Sequence, residues 1–218
     1  MRIGNDTVPP MWGATLRVVL AALVLVAIER LRRRPWPSGP ALRAAVGYGF
    51  FQFGINIPLL YWGETVVSSG MAAVVYATVP ITGAIIARLF GLERLALLKM
   101  AGALVALGGV AVLFGHQLGA SVTALPLLAI WLATVSAALG STLLKRGPRQ
   151  DAIGANAVAN IVAAPMCLLA SFLLGESRTL PVTWTQIYPI LYLALAGSVV
   201  AFVVFSWLVI RLDVSTVA

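Results

Sequence analysis

Long apolar runs separated by short polar junctions make up most of this sequence of 218 residues. A helix that crosses the roughly 30 Å hydrocarbon core of a bilayer needs about 20 mostly apolar residues. Seven runs are long enough, at residues 11–29, 44–63, 65–87, 95–115, 122–144, 152–175 and 187–210. We therefore predict an all-α transmembrane helix bundle with seven spans, whose surrounding partner is the lipid bilayer.

The basic residues mark one side of that membrane. Twelve of the fifteen Lys and Arg residues form four clusters at alternate junctions: Arg30, Arg32, Arg33, Arg34 and Arg43; Arg88, Arg94 and Lys99; Lys145, Arg146 and Arg149; and Arg211. The opposite side has only Arg2 and Arg178, and Arg17 lies inside the first run. By the positive-inside rule the clusters face the cytoplasm. The N-terminus is therefore expected outside and the C-terminus inside.

The net charge of +8 does not indicate nucleic-acid binding. A nucleic-acid protein needs a basic face on a soluble module, whereas these basic residues lie at the ends of apolar runs. The chain is 61% hydrophobic and 10% charged, with a mean hydropathy of +0.98. The single cysteine, Cys167, has no second cysteine for an intrachain disulfide. No nucleic-acid partner is expected.

A weak internal repeat relates the two halves of the chain. Residues 60–64 and 67–71 align with residues 207–211 and 214–218 at a constant offset of 147. The second span runs from inside to outside and the seventh from outside to inside, so the repeat would be inverted. Many secondary transporters have inverted repeats, with the substrate site near the midplane between them.

The same stretches resemble the drug/metabolite transporter superfamily and its EamA-like domain. The resemblance rests on residues 61–73 and 77–83, on 91–94, on 102–114 with their Gly108-Gly109 pair, and on 194–207 followed by 211–215. It implies ten spans in two inverted five-helix halves. Against that pattern, residues 1–115 would be a first repeat lacking its first helix, and residues 122–218 a second repeat lacking its last two. A chain truncated at both ends is therefore expected.

Arg17 is the charged residue that most needs an explanation. A cation deep in a span costs from about 2.5 kcal/mol upward. One interpretation is that Arg17 faces a central cavity and neutralises an anionic group of the substrate. The alternative is that it extends to the outer interface or pairs with Glu64, whose span end is on the same side.

Other polar or amphipathic side chains at membrane depth could also line a cavity. These candidates are Gln52, Asn56, Tyr76, Thr78, Trp131, Ser136, Asn156, Asn160, Ser198 and Trp207. Gln52 and Asn56 are four residues apart and share a helix face, as do Asn156 and Asn160. The alternative is that these groups join helices through hydrogen bonds.

Prolines and small residues suggest further roles. Pro58, Pro80 and Pro165 fall within spans and could act as hinges or as static kinks. Small residues at four-residue spacing let helices approach closely. They form one stripe at Gly102, Ala106, Gly109 and Leu113 and another at Ala133, Ala137 and Ser141. Both stripes are expected in scaffold packing or in the contact of a homodimer.

Enzyme signatures are missing, so no catalytic residue, cofactor or metal site is predicted. The seven carboxylates lie at span ends or in loops, and the single histidine, His116, lies in an external turn. A proton relay through a midplane acid is therefore unsupported. The predicted function is a secondary transporter, an exporter or permease, that moves small organic metabolites such as amino acids across a bacterial inner membrane by alternating access. A non-transporting membrane fragment or assembly subunit and a membrane-embedded transferase are the alternatives.

Overall fold

The computed structural model describes residues 8–93, 97–113 and 124–212. Its elements are α1 (Pro10–Leu31), α2 (Gly39–Gly49), the π-helical segment π1 (Phe50–Ile55), α3 (Asn56–Glu64), α4 (Ser69–Tyr76), α5 (Val79–Leu89), α6 (Leu97–Leu113), α7 (Ala124–Arg146), α8 (Ala152–Leu173), α9 (Trp184–Tyr192), the π-helical segment π2 (Leu193–Ala201) and α10 (Phe202–Arg211). No strand occurs in these ranges, so the all-α prediction is confirmed. His116 and residues 214–218 of the expected second repeat lie outside the described residues.

Five described helical segments are long and apolar enough to cross a membrane. They are Pro10–Leu31, Ser69–Leu89, Ala124–Arg146, Ala152–Leu173 and Trp184–Arg211, and they match the first, third, fifth, sixth and seventh predicted spans. The second predicted span is helical but is divided by π1, and the fourth contains α6, which has 17 residues. Because these two are not among the five, the expectation of seven spans is met only in part.

Small residues bring the central helices close together. α1 packs along α8, and the alanines Ala14, Ala21, Ala155 and Ala159 in these helices are fully buried. Small side chains permit this approach of helix backbones. α2 also approaches α8 closely, since a Cβ built on Gly49 would lie 2.5 Å from the Cα of Ala159. α3, α7 and π2 pack around this group of α1, α2 and α8.

A contact between distant parts of the chain fixes the start of α1. The Glu176 carboxylate accepts hydrogen bonds from the backbone N–H groups of Met11, at 3.0 Å, and Trp12, at 2.8 Å. These amides lack partners within the helix. Gly175, with φ of 66°, ends α8 in a left-handed conformation that glycine adopts without steric cost. The turn at Gly175 therefore directs Glu176 to α1.

The three predicted hinge prolines have different surroundings. Pro58 lies in α3, three residues after π1 ends, and Pro80 lies in the first turn of α5, after an interruption at Ala77 and Thr78. Pro165 lies inside α8, which continues through it. A proline cannot donate to the carbonyl four residues earlier, which fits the interruptions beside Pro58 and Pro80. Hinge motion at any of the three stays a prediction.

The two small-residue stripes also differ. Ala133, Ala137 and Ser141 of α7 are buried inside the bundle. A Cβ built on Gly102 or Gly109 of α6 would meet no atom within 4 Å. The α7 stripe thus lies inside the bundle, whereas the α6 glycines face open space in the described part of the chain. A homodimer contact stays a prediction.

Candidate functional site

A cavity of about 360 Å³, called here the central cavity, lies between π1, α4, α5, α7, π2 and α10. Its polar lining comes from Gln52, Tyr76 and Ser141, and none of its lining residues is charged at neutral pH. The full lining is Gln52, Tyr76, Val79, Gly83, Ala137, Ala138, Ser141, Ala201, Phe202 and Phe205. The cavity therefore offers a few hydrogen-bonding groups within an apolar and aromatic wall, as small-molecule sites commonly do.

Gln52 is held in this wall by the close approach of π1 to α7. A Cβ on Gly140 would lie 2.8 Å from the backbone N of Gln52, so a larger residue would push the two segments apart. The Ser141 hydroxyl lies within hydrogen-bond distance of Gln52 Oε1, at 3.3 Å. The Ser136 hydroxyl donates to the carbonyl of Phe51 in π1 at 2.7 Å. The single Ser141 proton can go either to Gln52 Oε1 or to the nearer Ala137 carbonyl, at 3.0 Å, and the Gln52 amide keeps its own N–H groups for a ligand.

Gln52 and Asn56, which share a helix face, are joined through the Gln52 backbone, and Asn56 also contacts Tyr76. Asn56 Nδ2 donates to the Gln52 carbonyl at 3.0 Å, and the Tyr76 hydroxyl donates to Asn56 Oδ1 at 2.8 Å. Asn56 thus lies behind the cavity wall and orients Tyr76. Because the Tyr76 hydroxyl gives its proton to Asn56, it presents an acceptor lone pair to the cavity.

Arg17 lies inside the bundle, with only 5% of its surface exposed. Its Nε donates to the Ser198 hydroxyl of π2 at 2.8 Å, and Nη1 donates to the Tyr61 hydroxyl of α3 at 3.4 Å. The ion pairs found within the described ranges join Arg32 to Glu29 and Asp151, and Arg17 takes no part in them. This geometry does not match the outer-interface alternative or a pair with Glu64. Arg17 does not line the central cavity, so its contact with substrate stays a prediction.

Asn156 and Asn160 share the spacing of Gln52 and Asn56 but lie in a different setting. Both are fully buried in α8. Asn156 Nδ2 donates to the Ser206 hydroxyl at 2.6 Å and to the Phe202 carbonyl at 3.2 Å, and Ser206 also hydrogen-bonds the Tyr48 hydroxyl. These bonds connect α8 to α10 and α2. For Asn156 the geometry favours the alternative in which the amide joins helices.

The remaining candidates lie at other cavities. Thr78 and Trp131 border an open, largely apolar cavity of about 730 Å³ beside α4 and α7. Trp207 borders a cavity of about 330 Å³, called here the basic-end cavity, whose charged lining residues are Arg32, Asp151 and Arg211. The Arg211 guanidinium lies 4.0 Å from the centre of the Trp207 ring. Of the predicted residues, only Gln52 and Tyr76 line the central cavity itself.

Arg32 and Asp151 form a bidentate ion pair at the basic end. Arg32 Nη1 donates to Asp151 Oδ2 at 2.9 Å and Nη2 donates to Oδ1 at 3.3 Å. Asp151 also caps α8 by accepting from the N–H groups of Ile153 and Gly154. Burial pushes the pKa of Asp151 upward, but the hydrogen bonds from Arg32 and the two amides outweigh it and hold this pKa below its ordinary value. The hydrogen bond to Asp151 raises the pKa of Arg32.

Sequence reasoning missed Ser141, Phe202 and Phe205 of the central cavity, and Tyr61, which contacts Arg17 outside it. Ser141 was assigned to a packing stripe, and Tyr61, Phe202 and Phe205 were not singled out. Phe202 and Phe205 are aromatic residues in an apolar run, where nothing in the sequence separates a cavity-lining ring from a lipid-facing one. Tyr61 is the one with a detectable signal, because a tyrosine hydroxyl needs a partner inside a bundle.

Comparisons with known proteins identify relatives over most of the chain. The profile of the EamA-like transporter family matches residues 1–115. An uncharacterised inner membrane transporter, YedA of Escherichia coli K12, is 30% identical over 213 residues, which cover 96% of this chain and 68% of YedA. Protein PagO of Salmonella typhimurium is 36% identical over 109 residues, covering 49% of this chain and 36% of PagO.

A crystal structure whose description names no function shares the fold. It covers 99% of this chain with a TM-score of 0.74, at 21% identity, and the match spans 76% of that protein. The chain thus spans about a third of PagO and about two thirds of YedA.

Proposed function

The chain belongs to the EamA-like transporter family, and on that premise we propose that it moves small organic metabolites across a bacterial inner membrane. The proposed cargo is an amino acid or a related amphipathic compound. Transport is secondary, by alternating access, in the direction of an exporter or permease.

The observation that carries this proposal is the position of the central cavity between the two halves of the chain. Gln52 and Tyr76 come from the first half, and Ser141 and Phe202 from the second. Secondary transporters with inverted repeats bind substrate between the repeats, near the midplane. A relative movement of the two halves would therefore change access to this cavity.

The lining suits an amphipathic cargo. Phe202, Phe205 and the small apolar residues would cover an apolar body, while the Gln52 amide and the Tyr76 hydroxyl would orient a polar group. We assign the anionic group of a carboxylate-bearing cargo to Arg17. Its guanidinium has five N–H donors, of which two are used, by Ser198 and Tyr61.

The two π segments support the proposed inverted repeat. The offset of 147 that relates the ends of the second and seventh spans places residues 50–55 on residues 197–202. π1 occupies Phe50–Ile55 and π2 occupies Leu193–Ala201, so the two interruptions overlap in the alignment. We propose that residues 1–115 and 122–218 belong to the two repeats of a ten-span transporter. At about 1.5 Å per residue, the helical segment from Gly39 to Glu64 is also long enough to span.

Flux in proteoliposomes tests the function. Metabolites that differ in the medium of cells with and without the protein supply the candidate cargo, and the reconstituted chain is assayed for saturable counterflow of each. Gln52→Leu is expected to abolish flux, and Ser141→Ala to raise KM about 3- to 10-fold, the equivalent of one lost hydrogen bond. Thr142→Val is the matched control, since this neighbouring hydroxyl bonds within α7 to Ala138 and lies outside the cavity.

The outcomes distinguish the alternatives. Absence of counterflow for every candidate would favour a non-transporting membrane fragment or assembly subunit, and chemical conversion of a metabolite without flux would point to a transferase. If Ser141→Ala and Thr142→Val change flux equally, the protein is a transporter whose substrate site lies outside the central cavity.

A further inference from the structure

Glu29 is a buried carboxylate that the transport site does not use. It lies in the last turns of α1, where only 2% of its surface is exposed. The first turn of α8 encloses it, because a Cβ built on Gly154 would lie 3.2 Å from Glu29 Oε1 and 3.2 Å from the ring of Pro37. A glycine at position 154 thus leaves the space that the carboxylate occupies.

Neither oxygen of Glu29 has a hydrogen-bond partner among the described residues. The nearest cation is Arg32, whose Nη1 lies 3.5 Å from Glu29 Oε2. That same nitrogen lies 2.9 Å from Asp151, to which Arg32 gives both of its hydrogen bonds. The free amides at the start of α8 are also taken by Asp151.

Among the charged groups of the described residues that face Glu29, none is a cation that serves this carboxylate alone. Arg32 at the end of α1, the exposed Arg34 of the following loop and Asp151 of α8 are the groups that act on it. Arg32 is shared by two carboxylates, and Arg34 is exposed to solvent. A buried charge without hydrogen bonds is strongly unfavourable, whereas the neutral carboxylic acid is tolerated. A proton bound to Glu29 removes the negative charge that no described neighbouring side chain fully compensates.

We propose that Glu29 is a proton-binding site that controls the contact between α1 and α8 at the basic end of the bundle. With the proton bound to a carboxylate oxygen, the neutral side chain stays enclosed and the two helices remain in contact. When the proton leaves to water, the carboxylate must be hydrated, and α1 and α8 separate at this end. The neighbouring basic-end cavity, lined by Arg32 and Asp151, supplies the water that gives and accepts the proton.

The role of this site in transport rests on the proposed function. Proton release would open the basic end of the bundle, and proton uptake would close it, so the proton would serve as the coupling ion without any acid at the midplane. Binding of the proton itself can be tested without a substrate.

Cysteine accessibility provides that test. Cys167, the only cysteine, is replaced by Ala, and a reporter thiol is placed by Ala152→Cys in the first turn of α8, where the residue is buried and borders the basic-end cavity. Arg149→Cys is the exposed reference. The ratio of the two labelling rates with a small methanethiosulfonate reagent is measured from pH 5.5 to 8.5, so that the pH dependence common to both thiols cancels.

The ratio is expected to rise at least tenfold with pH when Glu29 is present. In Glu29→Gln it should stay low and flat, and Glu29→Asp should restore a pH dependence. Infrared difference spectra provide a second measurement, because the carbonyl band of a protonated carboxylic acid should disappear at high pH in the parent and be absent from Glu29→Gln.

Three results would overturn the proposal: a flat ratio in the parent, an unchanged pH dependence in Glu29→Gln, or a dependence abolished by Asp151→Asn alone. A flat ratio of labelling rates in a protein that still shows saturable flux would refute the proton site but not the transport function. A Glu29-dependent ratio without flux supports the proton site and argues against the transport function.

Discussion

Gly49→Ala is expected to disrupt the packing of α2 on α8. The added methyl carbon would lie 2.5 Å from Cα and 2.7 Å from the carbonyl oxygen of Ala159. Ordinary van der Waals contact begins near 3.4 Å, so the helices must separate by about 1 Å. Backbone atoms cannot rotate away as a side chain can, and overpacking of this kind costs about 1–3 kcal/mol. The separation would also move Gln52, three residues further along the chain, out of its close contact with Gly140.

Equilibrium unfolding in mixed dodecyl maltoside and SDS micelles measures the effect. Gly102→Ala is the control, since a Cβ at that position of α6 meets no atom within 4 Å, and it should cost nothing. Ala159→Gly should not rescue Gly49→Ala, because the clash involves backbone atoms that glycine keeps. Equal stability of the two alanine variants, or rescue by Ala159→Gly, would refute the predicted backbone contact.

Three further predictions concern the amide network, the ion pair and the orientation. Asn156→Ala should lower the free energy of unfolding by about 0.6–1.7 kcal/mol, the range for hydrogen bonds between membrane helices, and a double-mutant cycle with Ser206→Ala should show coupling. Because the folded-state pKa of Asp151 is lowered, its contribution to stability is present above its unfolded pKa and is lost as pH falls through the folded pKa. The free energy of unfolding should therefore fall at acidic pH in the parent, and this part of the fall should be absent from Asp151→Asn. Trp36 and Leu180 are 39% and 71% exposed, respectively. In a Cys167→Ala background, Trp36→Cys should react only with a thiol reagent on the cytoplasmic side, and Leu180→Cys only with one outside. The opposite pattern would invert the assigned orientation.

The sequence predicts the class of this fold well because run length and helix face are local properties. Gln52 and Asn56 are four residues apart, and the structure places them together, with Tyr76 beside them. The same rule applied to Asn156 and Asn160 predicts the shared face but not what that face meets. Whether an amide faces a cavity or another helix depends on the neighbouring element, which local spacing does not specify.

Contacts between residues far apart in the chain could not be predicted from the sequence either, because they also depend on how the helices pack. Glu176 holds the start of α1 from 165 residues away, and no motif marks that pairing. The bond between Arg17 and Ser198 spans 181 residues. Sequence position identified Arg17 as unusual because a charge inside a span is costly, but its partners depend on how α1, α3 and π2 pack.

The two π segments connect the fold to the proposed movement. A π turn interrupts the regular pattern of hydrogen bonds in a helix and commonly marks a functional position. In π1 the Phe51 carbonyl accepts a hydrogen bond from Ser136 of α7, so part of the backbone is held by a neighbouring helix. In π2, Ser198 accepts from the buried Arg17 of α1. Each segment is therefore tied to another helix at the place where its own hydrogen bonding is irregular. Bending at π1 would move Gln52, and bending at π2 would move Ser198, the partner of Arg17, which links bending in both halves to the two groups assigned to the cargo.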